Sequence, residues 1–217
     1  MRLALCIVAA ILVGALLGRA SAPSLPVVSP KAGSPSPGPT SESVGVGVGF
    51  SRTRQGAISA SGTYQQAFAD TAILRPEELR RRIEVVATPG FAPTMLAANE
   101  RGTSQLAHGS FGAGVRAGVQ STYFGVPVSY RVLSYAPSRA VIQTWGFTLL
   151  GNVDAVEPTA YFGLARTVLV WVDGDWKIAD TRASFGPTPR LGTPRPGGEG
   201  LGLVELSEEL HRYGVAP

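Results

Sequence analysis

Proton transfer near neutral pH needs a group that titrates there, and the chain holds two histidines, His108 and His211. His108 stands beside Gly109 in a glycine-rich stretch, where solvent exposure is expected. His211 falls in the last turn of an expected C-terminal helix, where an imidazolium suits the unpaired carbonyls. Carboxylates raised by burial are the other route. Asp173 and Asp175 flank a hairpin tip, and Glu77, Glu78 and Glu84 have arginines or a helix start nearby. That leaves Asp70 and Asp180, with Tyr130, as groups able to face a pocket. None has a His or Lys at a spacing that signals catalysis. The single cysteine, Cys6, lies in an apolar N-terminal run, so neither a disulfide framework nor a cysteine-rich zinc site is available. The serine-hydrolase elbow, the zinc-protease helix, the phosphate loop and C-x-x-C are not present in the sequence. Gly112-x-Gly114-x-x-Ala117 fits a relaxed dinucleotide motif but has no strand before it and no acid between Glu100 and Asp154. The expectation is a non-enzymatic protein with no catalytic, cofactor-binding or metal-ligating residue.

The elements that would position such groups begin after a long lead. Met1-Arg2 precedes a charge-free apolar run from Leu3 to Gly18, then Arg19 and Ala20-Ser21-Ala22. This is the pattern of a secretory signal peptide, and the run is short for a membrane span. Residues 1–22 are therefore read as a signal peptide, with an uncleaved N-terminal anchor as the alternative. Either places the rest outside the cytoplasm, secreted or anchored to the cytoplasmic membrane. Residues 23–49 carry Pro at 23, 26, 30, 35, 37 and 39 and end in Gly-Val alternation. They are read as a disordered Pro/Ser/Gly-rich linker.

Residues 50–185 read as one domain of helices followed by strands. Thr53 is an N-cap for a helix over 54–72, with Ile58, Tyr64 and Phe68 on one face. Pro76 opens a second helix with Glu77 and Glu78 in its first turn. Glu77–Arg81 and Glu78–Arg82 have the spacing of i,i+4 pairs, and Arg80-Arg81-Arg82 reads as a solvated face. A third helix spans Thr94 to about Leu106, with Met95, Leu96 and Leu106 inward. Residues 108–125, with five glycines, read as a mobile loop. The period then changes to two: Val126–Val132, Ala140–Leu150, Tyr161–Val172 and Trp176–Thr181 read as strands. Asp173-Gly174 is a hairpin turn that brings Trp171 opposite Trp176, and the three tryptophans are expected to be structural. Residues 186–217 form a Gly/Pro-rich tail with a short helix over Leu203–Tyr213.

The order predicts an α+β fold, with N-terminal helices packed on a curved antiparallel sheet. The ending LVWVDGDWKI after YRVLSYAPSRAVIQTWGFTLLG resembles the final hairpin of the cystatin-like cone domains related to nuclear transport factor two. With TRQGAISASGTYQQAF ahead and GPTP behind, residues 44–190 resemble a family of actinobacterial extracytoplasmic proteins associated with conjugation or secretion gene clusters. The chain departs from the scaffold proteins of conjugal channels in having only Met1-Arg2 before its apolar run. The resemblance implies a cone-shaped scaffold domain whose partners are other cell-envelope proteins or a second copy. It carries no catalytic motif and no cofactor. Net charge is +4, with no clustered basic face, so nucleic acid is not expected as a partner. Membrane contact is expected only through residues 3–18, if uncleaved. A secreted small-molecule binder or pocket enzyme on the same cone is the alternative.

Overall fold

A computed structural model describes residues 38–153, 156–189 and 211–212. The proposed targeting segment 1–22, most of the linker and most of the tail lie outside these residues. The chain begins with a small antiparallel hairpin, β1 (Ser41–Ser43) and β2 (Val46–Val48). Four helices follow: α1 (Arg54–Gln66), α2 (Pro76–Val86), α3 (Ala92–His108) and α4 (Ser110–Arg116), with a 3-10 turn at Thr71–Leu74. The second sheet consists of β3 (Ser121–Ala136), β4 (Arg139–Asn152), β5 (Val156–Val172), β6 (Asp175–Phe185) and β7 (His211–Arg212). All its pairings are antiparallel, in the order β6-β5-β4-β3-β7. The architecture is α+β.

Local chemistry accounts for the element boundaries. Thr53 is extended, and its hydroxyl accepts from the Gly56 amide at 3.0 Å, which caps α1. Pro76 starts α2, where a missing N–H costs nothing. Asp173 and Gly174 take φ of 52° and 82°, the mirror-image turn that matches strand twist. This sets Trp171 against Trp176, edge to face at 5.3 Å. The core lies between α1–α2 and one face of the sheet. Ile58, Tyr64, Leu79 and Ile83 pack there with Ile142, Leu169, Trp176 and Ile178. Side chains alternate across a strand, so Val141, Trp145 and Val168 lie on the opposite face. Trp145 stacks on Phe162 at 5.8 Å, and its indole N–H donates to the Pro187 carbonyl at 2.9 Å.

Several expectations need correction. Residues 41–48, read as linker, are a hairpin, with Val44-Gly45 as its turn. Residues 108–125 are not a mobile loop: α4 occupies 110–116 and β3 begins at Ser121. The first helix ends at Gln66, and Asp70 instead caps the 3-10 turn. The expected C-terminal helix over 203–213 fails at His211–Arg212, which pair as a strand with Ser129 and Tyr130. Residues 203–210 lie outside the described part. Arg82 is buried, so the three arginines are not one solvated face. Arg81 bonds Glu78, whereas Arg82 reaches Asp70 and the Ala67 carbonyl.

Candidate binding cleft

Gln66 ends α1, and the chain then runs through Phe68 and Ala69 close over the sheet. An added Cβ on Gly125 would come within 2.8 Å of the Ala69 side chain, so glycine on β3 is what permits this approach. Beside it, Gly146 on β4 and Gly163 on β5 are register partners that line the cleft; a Cβ added to Gly146 would run into the Val126 carbonyl and one on Gly163 would come within 2.8 Å of the Ser184 carbonyl, so both permit close approach of the neighbouring strand. A cleft of about 580 Å³ lies there, between α1 and α3 on one side and the sheet on the other. Its floor at the glycine pair is backbone. Its walls are mainly apolar, including Phe68, Met95, Ala165 and Ile178.

The polar lining comes from α1, α3 and the strands. Gln65 Nε2 donates to Thr144 Oγ1, and Thr144 Oγ1 in turn points to the Ala165 carbonyl at 3.4 Å. Asn99 Nδ2 donates to the Met95 carbonyl at 2.8 Å. Ser61 is buried against the cleft, with no hydrogen-bond partner for its hydroxyl. Tyr64 gives its phenol proton to the Trp176 carbonyl at 2.7 Å. Burial, with the negative charge of Asp175 nearby, pushes that phenol far above its ordinary pKa and keeps it protonated.

The structure brings none of the sequence-derived candidates together in this cleft. His108 is exposed at the end of α3, its Nδ1 2.8 Å from the Ser104 carbonyl. Asp70 accepts from the Ala72 amide at 2.9 Å and from Arg82 at 3.0 Å. Partial burial alone would raise its pKa, but the amide and the guanidinium outweigh this and lower it. Asp180 sits on β6 with Arg182 Nε at 3.8 Å. Tyr130 is buried in the core between helices and sheet. His211 belongs to β7, which pairs alongside Tyr130. Among the described residues, no three His, Cys, Asp or Glu side chains are grouped to hold a metal ion. No helix of the described residues is long and apolar enough to cross a membrane.

Sequence reasoning missed a buried carboxylate that holds three backbone amides. Asp175 is buried, and it accepts from the amides of Gly49, Phe50 and Trp176. It locks the start of β6 to the segment between β2 and α1. Its place next to a hairpin turn read as exposed, and nothing local signals a partner 126 residues away. It also missed the glycine pair, although an isolated glycine in a strand pattern does mark a close approach or an open floor.

An α+β domain with helices over an antiparallel sheet and an apolar cleft between them is the class these features define. Residues 27–193 match the model of DUF8175, a domain of unknown function, and the chain belongs to that family. No curated protein and no solved structure matches the chain.

Proposed function

We propose that the protein is a non-enzymatic extracytoplasmic interaction domain. In this reading residues 1–22 export it or anchor it, and the proline-rich segment after them spaces the domain from the membrane. Its helices and sheet make a cystatin-like cone, and it serves as a scaffold in an envelope assembly of the conjugal-transfer or secretion kind. Its partners are other envelope proteins or a second copy. One observation carries the non-enzymatic part. Among the described residues, the ionisable side chains that line the cleft are Tyr64 and Tyr161, and burial beside Asp175 keeps the Tyr64 phenol protonated. His108, Asp70 and Asp180, the groups better suited to acid–base work, stand elsewhere.

The test is fractionation of the native host with N-terminal sequencing and in-cell cross-linking. A start at Pro23, or an intact Met1 in the membrane fraction, is expected. The domain should be open to protease from outside and cross-linked into a complex larger than the monomer. Intact, uncross-linked protein in the cytoplasm would refute the reading.

The second reading is a small-molecule binder on the same fold. The cleft favours it, because about 580 Å³ falls in the range of roughly 300–1,000 Å³ that encloses small ligands.

A further inference from the structure

The chemistry of the cleft narrows what it can hold, and the inference rests on the small-molecule reading above. Burial grades along the lining. Ser61, Thr144 and Thr167 are at most 3% exposed, and Met95 and Ile178 are buried beside them. Tyr161 is 46% exposed and Phe185 is 88% exposed, so an aromatic pair marks the open side. Polar atoms therefore gather at the closed end and aromatic surface at the mouth.

Charge comes next. Among the described residues that line the cleft, none is Asp, Glu, His, Lys or Arg. An ion entering it would lose hydration without gaining a counter-charge, which is strongly unfavourable. The occupant is neutral.

The sense of the hydrogen bonds follows from the amides. Gln65 Nε2 donates to Thr144 Oγ1. Asn99 likewise gives an N–H to the Met95 carbonyl. In both side chains the protein takes one N–H, which leaves the oxygen as an acceptor and the second N–H as a donor. The buried Ser61 hydroxyl lacks a partner as well. A ligand hydroxyl or N–H can donate to the amide oxygens, with Gln65 the one nearest the buried Thr144.

We propose that the cleft binds a neutral, predominantly apolar small molecule with a hydroxyl or N–H at its leading end. That group donates to the Gln65 side-chain oxygen, while the apolar body lies over the Gly146–Gly163 floor and between the aromatic residues of the mouth.

The test uses the full chain and three fluorescent or calorimetric probes. N-phenyl-1-naphthylamine is neutral and has one N–H. 1-Benzylnaphthalene replaces that N–H by CH2. 8-Anilinonaphthalene-1-sulfonate adds a negative charge. Ala165 and Ala183 are register partners bordering the cleft, and Ala165→Phe fills it. Measuring this variant alongside the unaltered chain subtracts probe taken up by the apolar N-terminal run. Ala183→Phe, on an exposed position, replaces it if Ala165→Phe does not fold.

Saturable one-to-one binding of N-phenyl-1-naphthylamine is expected, weakened at least roughly tenfold by the filling variant. Gln65→Leu should weaken that probe about three- to tenfold and leave 1-benzylnaphthalene unchanged. If the N–H and CH2 probes bind equally and Gln65→Leu alters neither, the donor requirement is wrong and the binder reading survives. If the sulfonate binds as tightly in the cleft, the neutrality of the ligand is wrong. If no probe shows binding that the filling variant removes, the ligand class and the small-molecule reading fall together.

Discussion

Replacing Asp175 should unlatch the start of the domain, and the cost can be worked from its bonds. Its Oδ1 accepts from Phe50 N at 3.0 Å and Trp176 N at 2.8 Å, and its Oδ2 accepts from Gly49 N at 2.9 Å. Lys177 Nζ, 4.0 Å from Oδ2, adds little. Asp175→Ala leaves three amides without their acceptor. The Phe50 amide is buried, and losing a charge-assisted bond there costs about 1.5–3 kcal/mol. The part-buried Gly49 amide and the local Trp176 amide bring the total to roughly 3–5 kcal/mol. Asp175→Asn keeps an oxygen for Phe50 and Trp176 but turns an NH2 toward Gly49, so about 2 kcal/mol should be lost. Urea unfolding measures both, and an unchanged m-value would tie the loss to stability alone. Amide exchange at Gly49 and Phe50 should accelerate in step. A loss below about 1 kcal/mol for Asp175→Ala, or equal losses for the Ala and Asn variants, would refute the reasoning.

Three further outcomes follow from the same structure. The Asp70 carboxyl has its pKa held below its ordinary 3.8 when folded, so its contribution is present above that value and lost as pH falls through the folded one. Acid unfolding followed from pH 5 downward should show this loss in the unaltered chain and a shallower dependence in Asp70→Asn. Trp176 is fully buried with its N–H on the Ser51 carbonyl at 2.9 Å, so Trp176→Ala should cost about 3–5 kcal/mol by thermal unfolding. Trp171, half-buried, should cost visibly less, and the reverse order would contradict the packing. Val44 takes φ of 52° in the turn between β1 and β2, a conformation that a β-branched side chain resists. Val44→Asn, giving Asn-Gly, should stabilise by about 1 kcal/mol, or roughly 2–4 °C in melting temperature.

What was legible in the sequence was what neighbouring residues decide among themselves. The Asp173-Gly174 turn, the Thr53 cap and the Pro76 start are set within a few residues, and the structure has each of them in place. The strand period survived because β4 and β5 lie mid-sheet and are tied to partners on both sides. Segments whose residues are chosen by distant contacts misled. The glycines of 108–118 looked like a loop. An added Cβ on Gly112 would run into the Ala107 backbone, and one on Gly114 would run into the Asn152 side chain. Those glycines permit tight packing of α4, so tertiary contact overrides their poor helix propensity. Arg82 looked solvated for the same reason, since the Ala67 carbonyl it bonds lies beyond any helix pattern.

The cleft was illegible for a stronger reason. No segment contains it. Gln65 meets Thr144 across 79 positions, and Gly146 meets Gly163 only because β4 and β5 pair in this register. A one-residue slip of either strand would set the glycine of one against a side chain of the other and put bulk on the floor. That register runs along the β4–β5 ladder from Arg139↔Val170 to Leu150↔Thr159, whereas the legible turns at Pro137-Ser138 and Asp173-Gly174 join the flanking pairs β3–β4 and β5–β6. The β4–β5 pairing aligns the two glycines on the sheet face that α1 and α3 roof over.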